Sequence, residues 1–370
     1  YKNVICLGHI LDGEGKKMSK SRGNVVDPWT IMDREGADAA RWYMYTSAPP
    51  GDSRRFSAKL VQEVISGFYL TLWNTYSFFV TYANIDGFDP TAARLPIAER
   101  EELDRWIIAE LNALFKRVTL AYETYDVTGC TRPIADFVDD LSNWYLRRSR
   151  RRFWQSEWNH NKRAAYETLY ECLVSVAKLL APAMPFLSEA MYRNLVVPFD
   201  ATAPDSVHLT RWLSADETLI DQKLLAEMRL VKRLVSLGHA ARNSAELRVR
   251  QPLAEAAFAV RTADEAAAVR KFEATVAEEL NVKAVRLLDE QGASGMIRYT
   301  LNPLPHKLGK RLGSQFPTVQ KLLRESDDAQ VTAWAKQLLA GESLSVSVNV
   351  DQIALSAEEV EVLRTAAEGF

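Results

Sequence analysis

The sequence predicts a mainly α-helical protein, with a helical bundle at its centre and a smaller α+β part at its C-terminal end. Three observations carry that prediction. Apolar residues recur at helical spacing over four long stretches between Ser57 and Leu195, proline and glycine clusters separate those stretches, and short alternating strands mix with helices only beyond Asp221. At 370 residues, 47% hydrophobic and 25% charged, the chain has a globular composition long enough for two or three cores, which sets aside disordered and fibrous classes.

The opening run Tyr1-Lys2-Asn3-Val4-Ile5-Cys6-Leu7 has the short apolar pattern of a buried strand. It starts without cap, turn or leader, as expected of a cut through a larger domain. Next comes Gly13-Glu14-Gly15-Lys16-Lys17-Met18-Ser19-Lys20-Ser21-Arg22-Gly23-Asn24. Gly13, Gly15 and Gly23 let this loop move and take up positive-φ conformations, while Lys17, Lys20, Ser19 and Ser21 supply cations and hydroxyls suited to phosphate. Asp27-Pro28 then reads as an N-cap followed by proline at the first helical position, opening a short helix that Gly36 closes. A second helix over Ala37–Met44 stops before Pro49-Pro50 and completes a buttress behind the loop.

The first bundle helix shows its stripe at Val61, Ile65, Phe68, Leu72, Tyr76 and Phe79. A loop from Asn84 to Pro96 leads to the second, with apolar positions from Leu103 to Tyr125. The third is expected over Pro133–Trp154 and the fourth over Lys162–Ala181, where Pro182 and Pro185 break it before a short helix to Leu195. Residues 197–220, rich in Pro, Asp, Ser and Thr, read as a linker. The α+β part, 221–370, opens with a helix over Asp221–Ser244. Strands are expected at Ala256–Arg261, Ala284–Leu288 and Ile297–Leu301, helices at Ala263–Leu280 and Pro317–Leu339, and a hairpin of Leu344–Val348 with Asp351–Leu355.

Charge is unevenly spread, although the net charge is only -2. Residues 141–163 hold seven Lys/Arg against one acid, and 325–370 hold two against nine. A polyanion would meet the first segment and avoid the second. Arg147, Arg148, Arg150, Arg151 and Arg152 follow Asn143-Trp144-Tyr145. Guanidinium planes can pair with phosphate or stack on bases, and Trp144 offers a stacking face, although it continues the inner row of Phe137 and Leu141. Smaller basic clusters, Arg242/Arg248/Arg250 and Lys307/Lys310/Arg311, suit either RNA or ordinary surface. Three widely spaced cysteines, Cys6, Cys130 and Cys172, indicate neither a disulfide framework nor a zinc knuckle, so a reducing cytoplasm fits best. The longest apolar run, Leu173–Leu187, is broken by Lys178, Pro182 and Pro185, which argues against a membrane span. A monomer is expected.

Lys17-Met18-Ser19-Lys20-Ser21 is the signature pentapeptide of the class I aminoacyl-tRNA synthetases, and the chain resembles that family. The likeness continues through Gly23-Asn24-Val25-Val26-Asp27-Pro28, Gly36-Ala37-Asp38-Ala39-Ala40-Arg41-Trp42-Tyr43, Ser47-Ala48-Pro49-Pro50 and Arg55-Phe56-Ser57, a block similar to that of isoleucyl-tRNA synthetases. It extends into the bundle at Leu103-Asp104-Arg105-Trp106-Ile107 and Leu141–Arg150, and more weakly into the tail. The resemblance implies that residues 1–56 end a Rossmann-like catalytic domain and that 57–196 form an anticodon-binding bundle. Lys17, Ser19, Lys20 and Ser21 would then contact ATP phosphates, with Lys17 and Lys20 catalytic and Lys20 most directly tied to ATP. Met18 would pack the loop. Arg147, Arg148, Arg150, Arg151, Arg152 and Trp144 would face tRNA(Ile), and the 221–370 part would assist. It further implies ATP with Mg²⁺, isoleucine as substrate, and a zinc site elsewhere if one is present at all. The family's His-x-Gly-His motif is missing, since His9, His160, His208, His239 and His306 include no pair so spaced. These residues alone are therefore not expected to activate an amino acid. An enzyme for valine or another branched aliphatic amino acid, and a non-catalytic RNA-binding module, remain open alternatives.

Overall fold

The computed structural model describes residues 1–260, 262–288, 297–348 and 351–366. These form two units, Tyr1–Met228 and Arg229–Phe370.

In the first unit, the loop-bearing module sits on two short helices, Pro28–Glu35 and Ala37–Thr46. The first starts as expected: the Asp27 carboxylate accepts the Trp29 N–H, with Pro28 at the first turn. Tyr1–Leu7 correct the sequence reading. They form no strand, and Tyr1, Val4, Ile5 and Leu7 are exposed. A strand needs a hydrogen-bonded neighbour; backbone bonds to the 50–56 segment start at Gly8, and the short strand Ile10–Leu11 pairs in parallel with Arg54–Arg55.

The bundle follows. Ser57 accepts the Leu60 N–H and starts Ala58–Val64, which runs through a wide π-turn at Ile65–Tyr69 into Leu70–Asp86. Glu102–Glu123 buries Trp106, Ile107, Ile108 and Leu111, and His160–Leu180 buries Tyr166, Leu169 and Leu173 against the same core. The third helix begins earlier than expected, at Val127, because Asp126 caps it by accepting the Gly129 N–H, and Pro133 lies inside it. It continues through a second π-turn, Asp140–Leu146, into Arg147–Phe153. Pro185–Leu195 closes the bundle.

The segment 197–220 is no loose tether. Val207 is buried against Ala181 and Tyr192, the Trp212 indole N–H donates to Thr119 Oγ1 at 2.8 Å, and Asp216 N–H donates to Asn112 Oδ1 at 2.9 Å. Helix Gln222–Ser244 follows.

The second unit is α+β, as expected. Leu253–Ala259 pairs in parallel with Val282–Leu288 around helices Ala263–Lys271 and Glu273–Leu280. Arg261, assigned to the first of these strands from sequence, lies outside the described residues. The two strands expected as a hairpin pair antiparallel, Leu344 opposite Leu355, with Leu344, Val346 and Val348 buried on alternate positions. Ile297–Pro303 pairs antiparallel with Val360–Ala366, a strand not anticipated, and helix Pro305–Leu312 was also missed. The expected helix 317–339 is two, Phe316–Glu325 and Asp328–Leu339, because Asp327 caps the second by accepting the Gln330 N–H.

Candidate functional site

The lysine-rich loop is built on Asp12. Its Oδ1 accepts the N–H groups of Glu14 (3.0 Å) and Lys16 (2.8 Å), closing a tight turn in which Gly15 has φ +84°. Asn24 then binds the loop from the far end. Its amide nitrogen donates to Asp12 Oδ2 (2.7 Å) and to the Lys17 carbonyl (3.2 Å), and its amide oxygen accepts the Ser19 N–H (2.9 Å). Lys20–Arg22 make one 3₁₀ turn, ended by Gly23 at φ +67°. Gly15 and Gly23 use the left-handed region as expected; Gly13 does not. The Asn24 hydrogen bond, followed by that of the Lys16 N–H, holds the Asp12 carboxyl below its ordinary 3.8. A depressed acid loses its contribution only as pH falls through the folded value, so the turn keeps its acceptor down to the acid end of the carboxylate range.

Met18 points inward, packed on the small core of Ile31, Ala39, Phe56 and Val61. Lys17 and Lys20 flank it, are exposed, and make no ion pair among the described residues, whereas Lys16 pairs with Glu14 at 2.7 Å. The Ser19 and Ser21 hydroxyls lie 2.7 Å apart. The loop thus presents two cations and two hydroxyls around one anchored side chain, an arrangement able to hold phosphate oxygens.

The helix behind the loop is fastened to the bundle by side chains whose roles the sequence did not disclose. Asp38, 6% exposed, accepts the N–H groups of Phe186 (3.3 Å) and Leu187 (2.7 Å), and so caps helix Pro185–Leu195, whose own N-cap residue Met184 makes no side-chain cap. Arg41 donates to the carbonyls of Ala183 (3.0 Å) and Pro182 (2.8 Å). From the bundle side, Arg132 donates to the carbonyls of Thr46 (3.0 Å) and Ser47 (3.3 Å) at the end of Ala37–Thr46. Burial pushes the Asp38 carboxyl up, against the two N–H bonds that pull it down. Losing an N-cap costs about 0.5–2 kcal/mol. An Asp38→Ala variant should therefore lower the unfolding free energy of the first unit by about 0.5–2 kcal/mol and shift its urea midpoint down accordingly, with Asp38→Asn milder; an unchanged midpoint would remove the fastening role.

The arginine segment divides in two. Arg150 and Arg151 are exposed and make no ion pair among the described residues. Arg147 is exposed, its Nε donating to the Asn143 carbonyl at 2.7 Å, and Arg148 is half-buried. Arg152 corrects the sequence reading: it is buried, with Nη1 and Nη2 on the two oxygens of Asp104 (2.8 and 2.7 Å), and cannot face RNA. Trp144 is half-buried, because the π-turn brings Tyr145 rather than Trp144 into the buried row after Phe137 and Leu141. Beyond the arginines, Trp154 is exposed and its indole N–H donates to the Tyr82 hydroxyl at 2.8 Å.

The tail clusters are also split by packing. Arg242 is buried and donates to the carbonyls of Arg248, Gln251, Leu280 and Asn281, whereas Arg248 and Arg250 are exposed. Arg311 pairs with Glu359 at 2.9 Å. No group of three His, Cys, Asp or Glu residues among the described residues is placed to hold a metal ion, and none of the helices there is long and apolar enough to cross a membrane.

Two family models match the chain: "tRNA synthetases class I (I, L, M and V)" over residues 1–57 and "Anticodon-binding domain of tRNA ligase" over residues 104–257. The isoleucine–tRNA ligase of Dehalococcoides mccartyi is 55% identical over 285 residues, 77% of this chain and 28% of that protein. The isoleucine–tRNA ligases of Thermus thermophilus (46% identical) and Deinococcus radiodurans (45%) match along 100% of this chain and 35% and 33% of their own lengths. The chain thus spans about a third of the length of the curated relatives it matches.

Proposed function

We propose that the chain, which matches the class I aminoacyl-tRNA synthetase model over residues 1–57 and is similar to isoleucine–tRNA ligases, supplies the ATP-phosphate loop and the anticodon-arm-binding bundle of an isoleucine–tRNA ligase. That enzyme would join isoleucine to ATP, with Mg²⁺, as isoleucyl-adenylate and pass the acyl group to tRNA(Ile) in the cytoplasm. In the activation step the amino-acid carboxylate attacks the α-phosphate and pyrophosphate leaves, so negative charge builds on phosphate oxygens. Cationic groups set in place beforehand are what lowers that barrier. The observation that carries the reading is that Lys17 and Lys20 are exposed on either side of the anchored Met18 and make no ion pair among the described residues. Ser19 and Ser21 add hydroxyl donors beside them.

On the bundle, the exposed side chains of Arg147, Arg150 and Arg151, with Trp154 near their end of the helix, favour contact with the tRNA backbone. Arg148, half-buried, lies at the edge of that exposed face. The test is the competition of purified tRNAs for the 370-residue chain at several salt concentrations. Affinity is expected to fall linearly on a log–log scale, and Arg150→Ala and Arg151→Ala should each reduce the slope by about one phosphate contact. Salt-independent binding, or none, would refute the RNA face. Equal competition by tRNAs with altered anticodons would leave recognition by shape alone.

A further inference from the structure

We infer that Asp12 and Asn24 are positioning residues that preset the shape of the lysine loop, so that Lys17 and Lys20 stand ready for phosphate; this rests on the ATP reading of the loop given above. The Asn24 carboxamide uses both amide hydrogens and its oxygen on three separate points of the loop: Asp12 Oδ2, the Lys17 carbonyl and the Ser19 N–H. The last two belong to the residues on either side of Met18. Its side chain therefore drops into the core of Ile31, Ala39, Phe56 and Val61 while those of Lys17 and Lys20 stay exposed. Asp12 closes the circuit, because the oxygen it does not give to Asn24 holds the N–H groups of Glu14 and Lys16, and its own N–H donates to the Lys16 carbonyl at 2.9 Å.

Two polar side chains twelve residues apart thus fix the backbone of the segment between them. A flexible Gly/Lys/Ser loop otherwise loses conformational entropy each time it orders around a ligand, and ordering it beforehand removes that loss from the reaction. Neither residue reaches the phosphates in this scheme. Each acts through the lysines.

Donor and acceptor directions make the clasp testable with near-isosteric changes. Asn24→Asp turns both donors into acceptors facing Asp12 Oδ2 and the Lys17 carbonyl. Adding Asp12→Asn restores the bond between positions 12 and 24 with its polarity reversed and keeps the acceptor for Glu14 and Lys16. Amide hydrogen exchange of Ser19 in the 370-residue chain reads the clasp. Asn24→Asp keeps the oxygen that accepts the Ser19 N–H but loses both donor bonds, so the loop should open more readily and protection should fall about tenfold or more, recovering in part in the double variant, which regains one of the two bonds.

The second measurement is isoleucine-dependent ATP–pyrophosphate exchange by full-length enzyme carrying these residues. There kcat should fall about tenfold, with KM for isoleucine unchanged, and recover alongside protection in the double variant. Unchanged Ser19 protection in Asn24→Asp overturns the clasp, and lost protection with unchanged kcat overturns its positioning role. If Lys17→Ala and Lys20→Ala leave exchange intact, the ATP reading itself fails and the positioning role with it. Essential lysines beside an inert Asn24 would sink the inference alone.

Discussion

An Arg152→Ala variant is expected to lose about 3–5 kcal/mol of stability in the first unit, the usual result of stripping one partner from a buried ion pair. Asp104 is 0% and Arg152 7% exposed, and the guanidinium meets the carboxylate with two parallel bonds. Arg152 Nη2 also donates to the Asn161 carbonyl at 2.9 Å, and the Tyr145 hydroxyl donates to Asp104 Oδ1 at 2.6 Å. Burial works against the Arg152 charge, but the Asp104 bond and the charges beside it outweigh burial and push the guanidinium above its ordinary range. Removing the arginine leaves a carboxylate in the core with only a phenol beside it, and the same holds in reverse for Asp104→Ala. Replacing both residues by apolar side chains of similar volume should be far milder, since no unpaired charge is then buried. Urea unfolding followed by far-ultraviolet circular dichroism separates these cases; a loss below about 1 kcal/mol in Arg152→Ala would show that the pair contributes no more than a surface one. Arg150→Ala and Arg151→Ala, on the exposed side of the same helix, should stay within about 0.5 kcal/mol of the parent.

Lys20→Ala, introduced into full-length enzyme carrying this loop, is expected to slow isoleucine-dependent pyrophosphate exchange by about 10²–10³, the loss seen when one preset charge-stabilising donor is removed from a transition state. The effect should fall on kcat more than on KM for ATP, because negative charge on the phosphate oxygens grows as the bond to pyrophosphate breaks. Lys17→Ala should follow the same pattern with a smaller loss, as the family resemblance ties Lys20 more directly to ATP. The measurement is steady-state exchange at varied ATP. A rise in KM with kcat unchanged would mean that the lysines bind the ground state only, and no change in either constant would remove both from the chemistry.

Much of this molecule was legible in the sequence wherever the cause was local. Asp27-Pro28 start a helix because the carboxylate and the pyrrolidine ring act within one turn. The hairpin Leu344–Val348 with Asp351–Leu355 follows from a period of two on both strands. Errors arose where a side-chain cap that the apolar pattern does not reveal decided the matter. Asp126 extends the third bundle helix backward through Pro133, and Asp327 splits the helix expected over Pro317–Leu339.

By itself the sequence determined the helical bundle, the α+β tail, the phosphate-suited loop and the resemblance to class I synthetases, because periodicity and a contiguous motif are local properties of the chain. Only the tertiary structure decided which charges do what. Arg150 and Arg152 are two residues apart in one arginine run, yet one is exposed and the other is buried on Asp104, 48 residues away. Arg242, read as suiting either RNA or ordinary surface, instead gathers four backbone carbonyls. Asp38 caps a helix that begins at Pro185, and Asn24 ties down residues on both sides of Met18. In each case the deciding partner is placed by the packing of the helices or the closure of a loop, and a polar side chain's environment is fixed only when those distant groups arrive around it.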